Sequence, residues 1–168
     1  MKKSSQAVPL ALLSPRYREQ ALKQLAPSFP PSAALAARPI MLGGILKFTI
    51  LGEPVGKPRM TQRDKWAERP AVMHYRAWAD RARAAAPNRP GDAKDVSWVA
   101  YFDLPASYSK KKRAALAGQP HRQKPDRDNV DKAVLDALFA QDCTVSDGTL
   151  RKRWDDGRGP RIEITITT

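Results

Sequence analysis

The sequence predicts an α+β domain in which a small mixed β-sheet packs against helices. Three segments alternate apolar and polar residues as half-buried strands do: Ile45–Leu51, residues 96–102 and residues 162–167. Residues 75–86 and 129–140 carry apolar side chains at intervals of three and four, which indicates amphipathic helices. Strands and helices in this mixed order, without an internal repeat, are typical of a single α+β domain.

Residues 1–42 are predicted to be a poorly ordered N-terminal extension, and residues 43–168 the folded domain. The extension is rich in Ala, Pro, Ser and Leu, and its prolines interrupt any long element. One short helix from about Tyr17 to Leu25 is the regular element expected there. A chain of 168 residues has room for one domain beside such an extension.

The first half of the predicted domain contains two strands and one helix. The strand Ile45–Leu51 leads into a basic, turn-rich loop, Gly52–Arg59. The helix that follows is expected to end at Pro87, and its apolar stripe consists of Tyr75, Trp78, Ala79, Ala82 and Ala86. The second strand, residues 96–102, precedes Pro105.

A short basic helix is predicted at Lys110–Ala117, with Ser109 as its N-cap and Gly118 closing it. Its first turns carry three lysines and an arginine, where the helix dipole disfavours cations. A bound phosphate would supply the missing negative charge. The alternative is that these side chains extend into water.

The next helix is predicted from about Asn129 to Ala140, and the chain is expected to end in a strand. The apolar stripe of this helix consists of Val130, Ala133, Val134, Ala137 and Leu138. In the final strand, Ile162, Ile164 and Ile166 alternate with polar residues.

The composition is strongly basic, with 30 Lys and Arg against 17 Asp and Glu and a formal net charge of +13. Such a charge favours a nucleic-acid partner, although basic ribosomal and membrane-surface proteins share this composition. The single cysteine, Cys143, excludes an internal disulfide and favours the reducing cytoplasm. One cysteine and two histidines argue against structural zinc. No apolar run approaches the ~20 residues of a membrane span.

Aspartates are concentrated around residues 124–132 of this basic chain. Asp126 and Asp128 flank Arg127 in what we expect to be an extended segment, so both carboxylates would point the same way. Asp147, beyond the next helix, is able to close back on them. Three carboxylates with open water positions are typical of Mg²⁺ or Mn²⁺ ligation, and the metal would reconcile them with a phosphate backbone.

Lys132 lies one predicted helical turn from Asp128 and is suited to stabilise charge on a phosphate or to orient a water molecule. A purely structural alternative makes Asp128 an N-cap and Lys132 its ion-pair partner. A calcium loop is disfavoured, because its sixth position would be Asp131 rather than Gly. Asp136 is interpreted either as a solvated helix residue or as a group that orients the metal site.

These motifs resemble the RusA family of Holliday-junction resolvases, which occur in bacteria and prophages. The resemblance covers roughly Lys47 to Thr168 and is most specific in the block from Lys124 to Leu138, with Asp147 downstream. The segments Leu104–Arg113 and Gly56–Arg59 are similar too.

The resemblance implies a homodimeric, Mg²⁺-dependent endonuclease that binds four-way DNA junctions and nicks two strands symmetrically. It also implies that Asp126, Asp128 and Asp147 bind the metal and that Lys132 is catalytic. Two departures stand out: Ser146 replaces an aspartate that usually precedes Asp147 in the family, and Phe139-Ala140-Gln141 replaces a small turn.

The basic residues expected to contact DNA phosphates are Lys57, Arg59, Lys110, Lys111, Lys112, Arg113 and Lys124. Two other functions are compatible with the same residues. One is a phage nuclease for flaps, forks or other branched DNA. The other is a nucleic-acid-binding protein without catalysis, in which the aspartates serve as helix caps.

Overall fold

A computed structural model of the protein describes residues 39–66, 69–87 and 93–167. All of them belong to one compact unit, Ala33–Thr168. The helix expected at residues 17–25 and most of the predicted extension lie outside the described residues, so the domain boundary stays a prediction. In the part of the chain that is described, no helix has both the length and the apolar character needed to cross a membrane.

Five strands form one mixed sheet within the described residues. They are β1 (Ile40–Leu42), β2 (Ile45–Leu51), β3 (Asp95–Phe102), β4 (Leu150–Trp154) and β5 (Arg161–Thr167). Their order across the sheet is β1-β2-β5-β3-β4. Neighbouring strands are antiparallel except β3 and β4, which are parallel. The C-terminal strand β5 therefore lies at the centre of the sheet.

Three α-helices accompany the sheet in the described ranges: α1 (Pro70–Ala85), α2 (Lys110–Leu116) and α3 (Arg127–Leu138). Pro70 begins α1, where its fixed φ suits a helix start and its missing N–H costs no hydrogen bond. Ser109 caps α2 as predicted, because its side-chain oxygen accepts a hydrogen bond from the Lys112 N–H at 3.3 Å. Single 3-10 turns occur at Gln62–Lys65 and Asp142–Thr144.

The core lies between one face of the sheet and the helices α1 and α3. Strand alternation directs every second side chain to that face. The register sets Phe48 of β2 opposite Ile164 of β5, and Ile164 opposite Trp98 of β3. The predicted stripes of α1 and α3 cover this layer, and Trp78 and Val134 are completely buried within them. Removal of these apolar side chains from water is the main stabilising contribution.

The mixed sheet with three helices confirms the predicted α+β class. All the strands and helices predicted after residue 43 are present. Two strands, β1 and β4, are not predicted by the sequence. β4 reads Leu-Arg-Lys-Arg-Trp, and its three consecutive cations hide the alternation of a strand. β1 has only three residues and all are exposed, so it carries no burial pattern.

The start of α3 corrects one prediction. The helix runs from Arg127 to Leu138 instead of from Asn129 to Ala140. Asp126, not Asp128, occupies the N-cap position, and Asp128 lies in the first turn. The expectation that both carboxylates project from one side of an extended segment is therefore wrong. Helical geometry from residue 127 onward turns successive side chains by about 100° around the axis.

Candidate functional site

The N-terminal end of α3 presents two of the predicted metal ligands to solvent, Asp126 at the N-cap and Asp128 in the first turn. Asp126 and Asp128 are both exposed, and neither carboxylate hydrogen-bonds or ion-pairs with another described residue. Lys132, one turn further along, is exposed as well. The helix dipole stabilises negative charge at this end, so two ionised carboxylates are tolerated here. They are free to take up a cation.

Lys152 of β4 holds the segment that leads into α3. Its ammonium donates to the carbonyl of Gln123 at 2.6 Å and to the carbonyl of Pro125. Burial lowers the pKa of Lys152, and the negative charge of Asp126 partly offsets this effect. Sequence reasoning missed Lys152 because β4 was not recognised. Its position two residues before the buried Trp154 is the available signal, since both side chains then share the inner face of the strand.

A cleft of about 450 Å³ opens between the loop that follows β2 and the start of α3. Its lining residues are Gly56, Lys57, Lys124, Pro125, Asp126 and Asn129. The loop is fixed there, because the N–H of Lys57 donates to the carbonyl of Asn129 at 2.8 Å. A Cβ atom on Gly56 would lie 2.8 Å from Cβ of Pro125, so only glycine allows this approach. Two lysines therefore line the same cleft as one of the predicted metal ligands.

The ammonium of Lys57 forms an ion pair with the carboxylate of Asp136, and each side chain is 24% exposed. Asp136 is thus not a solvated helix residue. The ion pair and the backbone bond to Asn129 together join the loop to α3 at two places along the helix.

Asp147 lies beside the start of β3, in the segment that follows α3. Its carbonyl accepts from the N–H of Val96 at 3.0 Å, and its exposed carboxylate accepts from the N–H of Gly148 at 2.7 Å. The neighbouring Ser146 donates from its hydroxyl to the carbonyl of Lys94 at 3.3 Å. An ionised aspartate has no proton to donate, so the family's usual residue at this position would be unable to make that bond.

The three carboxylates fit a hard divalent cation in their chemistry, because Mg²⁺ and Mn²⁺ prefer oxygen ligands. They are not assembled into a ready-made metal site. In the described parts of the chain, no three His, Cys, Asp or Glu side chains are grouped so as to hold one ion. Asp126 and Asp128 share the start of α3, whereas Asp147 belongs to a segment anchored on β3. Their joint role as ligands stays a prediction.

The residues predicted to contact DNA differ in how free their charges are. Those with exposed side chains are Arg59, Lys110, Lys111, Lys112 and Lys124. Arg113 is instead half-buried and donates to the carbonyls of Leu104 and Pro105 at 2.9 and 3.1 Å. Lys57 is engaged with Asp136. Contact with DNA stays a prediction for the whole set, and for Arg113 and Lys57 it would compete with these intramolecular bonds.

Comparison with known proteins identifies the family. The family model described as Endodeoxyribonuclease RusA matches residues 52–167. No match was found among curated proteins. The matched range includes the cleft, the whole of α3 and the segment of Asp147. Because the match spans well over half of the chain and the motifs resemble the same family, the chain belongs to the RusA family of endodeoxyribonucleases.

Proposed function

We propose that this protein is a Mg²⁺-dependent, structure-selective endodeoxyribonuclease that resolves Holliday junctions in DNA recombination and repair. Family membership supports the endonuclease part of the proposal. The observation that supports the metal-dependent part is that a chain of net charge +13 carries two carboxylates, those of Asp126 and Asp128, at the start of α3, without a hydrogen-bond or ion-pair partner among the described residues. Carboxylates repel a phosphate backbone unless a cation lies between them, so this arrangement suits a metal-dependent reaction on DNA.

Asp126, Asp128 and Asp147 are the proposed ligands of Mg²⁺, with Mn²⁺ as a substitute. When bound, such an ion polarises a phosphoryl oxygen and lowers the pKa of an attacking water. Without a cation the three carboxylates repel one another. We therefore expect them to assemble only in the metal-bound protein, which is consistent with Asp147 standing apart from the other two.

Two lysines are proposed to contact DNA phosphates, and a third is proposed to position the metal-binding segment. Lys132 projects from α3 one turn beyond Asp128 and is suited to stabilise the charge that develops on the scissile phosphate. Lys124 lines the cleft beside Asp126 and is suited to bind a neighbouring phosphate. Lys152 acts indirectly, because its bonds to two carbonyls hold the backbone that carries Asp126.

Symmetric cleavage is proposed to require a homodimer. A four-way junction has two-fold symmetry, and one metal site is able to cut only one strand at a time. Two copies related by a two-fold axis present two equivalent sites to the two strands.

A cleavage assay on a synthetic four-way junction tests the proposal. We expect paired nicks with Mg²⁺ and none with EDTA. Asp128→Asn should lower the cleavage rate by about 10²-fold or more while junction binding is retained. Asp142→Asn is the matched control, because Asp142 is exposed in a 3-10 turn. This variant should cleave the junction at the wild-type rate. Equal rates for the Asp128 variant and the wild type would contradict the proposal.

One observation favours a second candidate, a nucleic-acid-binding protein without catalysis. Ser146 stands where the family pattern has an acidic residue. This candidate predicts salt-sensitive DNA binding that is indifferent to Mg²⁺, and no product from any DNA. A third candidate keeps the nuclease but changes the substrate to flaps or forks, and a panel of branched DNAs at equal salt separates it from junction resolution.

A further inference from the structure

Trp66 is an exposed aromatic residue that the proposed catalytic site does not use. All four tryptophans of the chain lie in the described residues. Trp78, Trp98 and Trp154 are buried in the core, whereas Trp66 is 79% exposed. An indole ring offers a large apolar face, and leaving it in water forgoes the stabilisation that its burial would bring.

The backbone around Trp66 is held by a buried carboxylate. Asp64 is 3% exposed, and its carboxylate accepts from the N–H of Thr61 at 2.6 Å and from the Thr61 hydroxyl at 3.1 Å. The guanidinium of Arg69 binds the same carboxylate through two nitrogens, with Nη2 at 2.6 Å. Bonds to Arg69, and then those to Thr61, hold the pKa of Asp64 well below its usual range. Asp64 is therefore a fixed negative charge at the centre of the loop.

Two further arginine contacts connect this loop to its surroundings. Arg69 Nη2 donates to the carbonyl of Arg59 at 2.9 Å, which joins the two ends of the loop. Arg76 of α1 donates to the carbonyl of Asp64 at 2.9 Å. The backbone N–H of Trp66 donates to the carbonyl of Arg63 at 3.0 Å. The backbone that carries Trp66 is thus held by hydrogen bonds, which reduces the backbone entropy lost when the ring binds a partner.

The surroundings of Trp66 favour a polyanion. Residues 59–76 contain five Lys or Arg residues against two acidic ones. The carboxylate of Asp64 is fully occupied by internal bonds, and the side chains of Arg59 and Arg63 are exposed. Cations beside an accessible aromatic face are the combination that binds unpaired nucleotides, because the cations hold phosphates and the ring stacks on a base.

The loop also continues directly from the cleft. Lys57, which lines the cleft, precedes Arg59 by two residues, and its N–H is bonded to the first turn of α3. We expect a DNA strand that crosses the cleft to continue toward this loop. Bases at a branch point are less firmly stacked than those within a duplex, so they are the ones available to the indole.

We propose that Trp66 stacks on an unpaired or unstacked base at the branch of the DNA substrate and so contributes to the preference for branched DNA. The inference rests on the proposed function, since it assigns a substrate feature to the same surface. The indole face supplies the contact with the base, and the exposed side chains of Arg59 and Arg63 supply the contacts with its phosphates.

Tryptophan fluorescence tests this contact directly. The full chain is to be titrated with a four-way junction, and separately with a linear duplex of equal length. Both titrations contain EDTA so that no cleavage occurs. Because the other three tryptophans are buried, quenching by the junction should come from Trp66 and should disappear in Trp66→Phe. Trp66→Ala should bind the junction about tenfold more weakly but the duplex almost unchanged. Trp66→Phe should retain most of the junction affinity.

Leu42→Ala is the matched control, because Leu42 is also a large exposed apolar residue but lies on β1. It should bind both DNAs like the wild type. The inference is overturned if the junction leaves the fluorescence unchanged, or if Trp66→Ala weakens junction and duplex binding equally. It is also overturned if Trp66 fluorescence changes on dilution without DNA, which would assign the ring to an interface between copies of the chain. If the junction quenches Trp66 fluorescence and the duplex does not, but the protein cuts no DNA when Mg²⁺ is added, the nuclease proposal is rejected and this inference is supported.

Discussion

The indole nitrogen of Trp98 donates a hydrogen bond to the carboxylate of Asp131 at 2.9 Å. This bond joins the middle of β3 to the second turn of α3, just beyond the turn that carries Asp128. Trp98 is 1% exposed, so its N–H has almost no access to water. Asp131 is therefore a structural acceptor between the sheet and the helix.

Removing this acceptor should destabilise the fold. Asp131→Ala leaves the buried indole N–H without a partner, and we expect the free energy of unfolding to fall by about 1–3 kcal/mol. Asp131→Asn keeps an acceptor oxygen and should lose less. Urea denaturation measures both. The control is Asp80→Ala on the exposed side of α1, which should change stability by less than about 0.5 kcal/mol. An Asp131→Ala variant as stable as the wild type would contradict this role.

Lys57 and Lys124 line the same cleft but should respond differently to replacement by methionine. Lys124 has no ion-pair partner among the described residues, so Lys124→Met should reduce the slope of log affinity against log salt by about one unit. Lys57 is paired with Asp136, so Lys57→Met should leave the slope unchanged and instead lower stability by about 1 kcal/mol. Salt titrations of DNA binding and urea denaturation separate the two effects. A reduced slope in Lys57→Met would show that DNA displaces Asp136.

Metal affinity tests whether Asp147 joins the carboxylates of α3. If all three bind one ion, Asp126→Asn and Asp147→Asn should each weaken Mn²⁺ binding by about tenfold or more, as measured by calorimetry. Asp142→Asn, which makes the same change of charge at an exposed turn, should bind Mn²⁺ like the wild type. Unchanged affinity in Asp147→Asn alone would restrict the metal site to the start of α3.

His121 should make stability depend on pH in the acidic range. Its ring stacks on Phe102 at 4.2 Å between centroids and meets the edge of Trp154 at 4.3 Å. Burial, with a smaller contribution from the charge of Lys152, lowers the pKa of His121 to about 4. In the unfolded chain its pKa is about 6.5. Between these two pKa values the unfolded state binds more protons than the folded state. The contribution of neutral His121 to the stability is therefore fully present above about pH 6.5 and is lost as the pH falls through 4.

The loss should amount to at most about 3 kcal/mol, and urea denaturation from pH 4 to 7.5 measures it. His121→Phe should flatten this part of the profile because it removes the titrating group from the aromatic stack. His74→Gln, at an exposed position of α1, is the control and should leave the profile unchanged. A profile that is equally steep in His121→Phe would assign the pH dependence to other groups.

The elements that the sequence predicts well are those whose signal is local. Ile45–Leu51 alternates, and the strand puts Leu46, Phe48 and Ile50 on the covered face, where they are buried. The stripe of α3 repeats at helical spacing, and all five of its residues are buried. The motif from Lys124 to Leu138 carries the family resemblance within one continuous stretch, and the family match confirms it.

The start of α3 shows where local signals fail. The pattern around Asp126 allows either Asp126 or Asp128 to be the N-cap of the helix, since aspartate is favoured at that position. In the structure the helix starts after Asp126, and Lys152 of β4 binds the carbonyls of Gln123 and Pro125 just before it, a contact that the local sequence does not reveal.

By itself, the sequence determined the fold class, the main strands and helices, the basic charge and the family, because each of these is encoded by spacing or composition within a short stretch. Only the tertiary structure decided that Lys57 binds Asp136, that Asp131 receives the indole of Trp98, and that Asp64 organises the loop of Trp66. The physical reason is that a polar side chain takes whichever partner the packed core brings within hydrogen-bond distance. That partner is commonly far away along the chain, where periodicity carries no information about it.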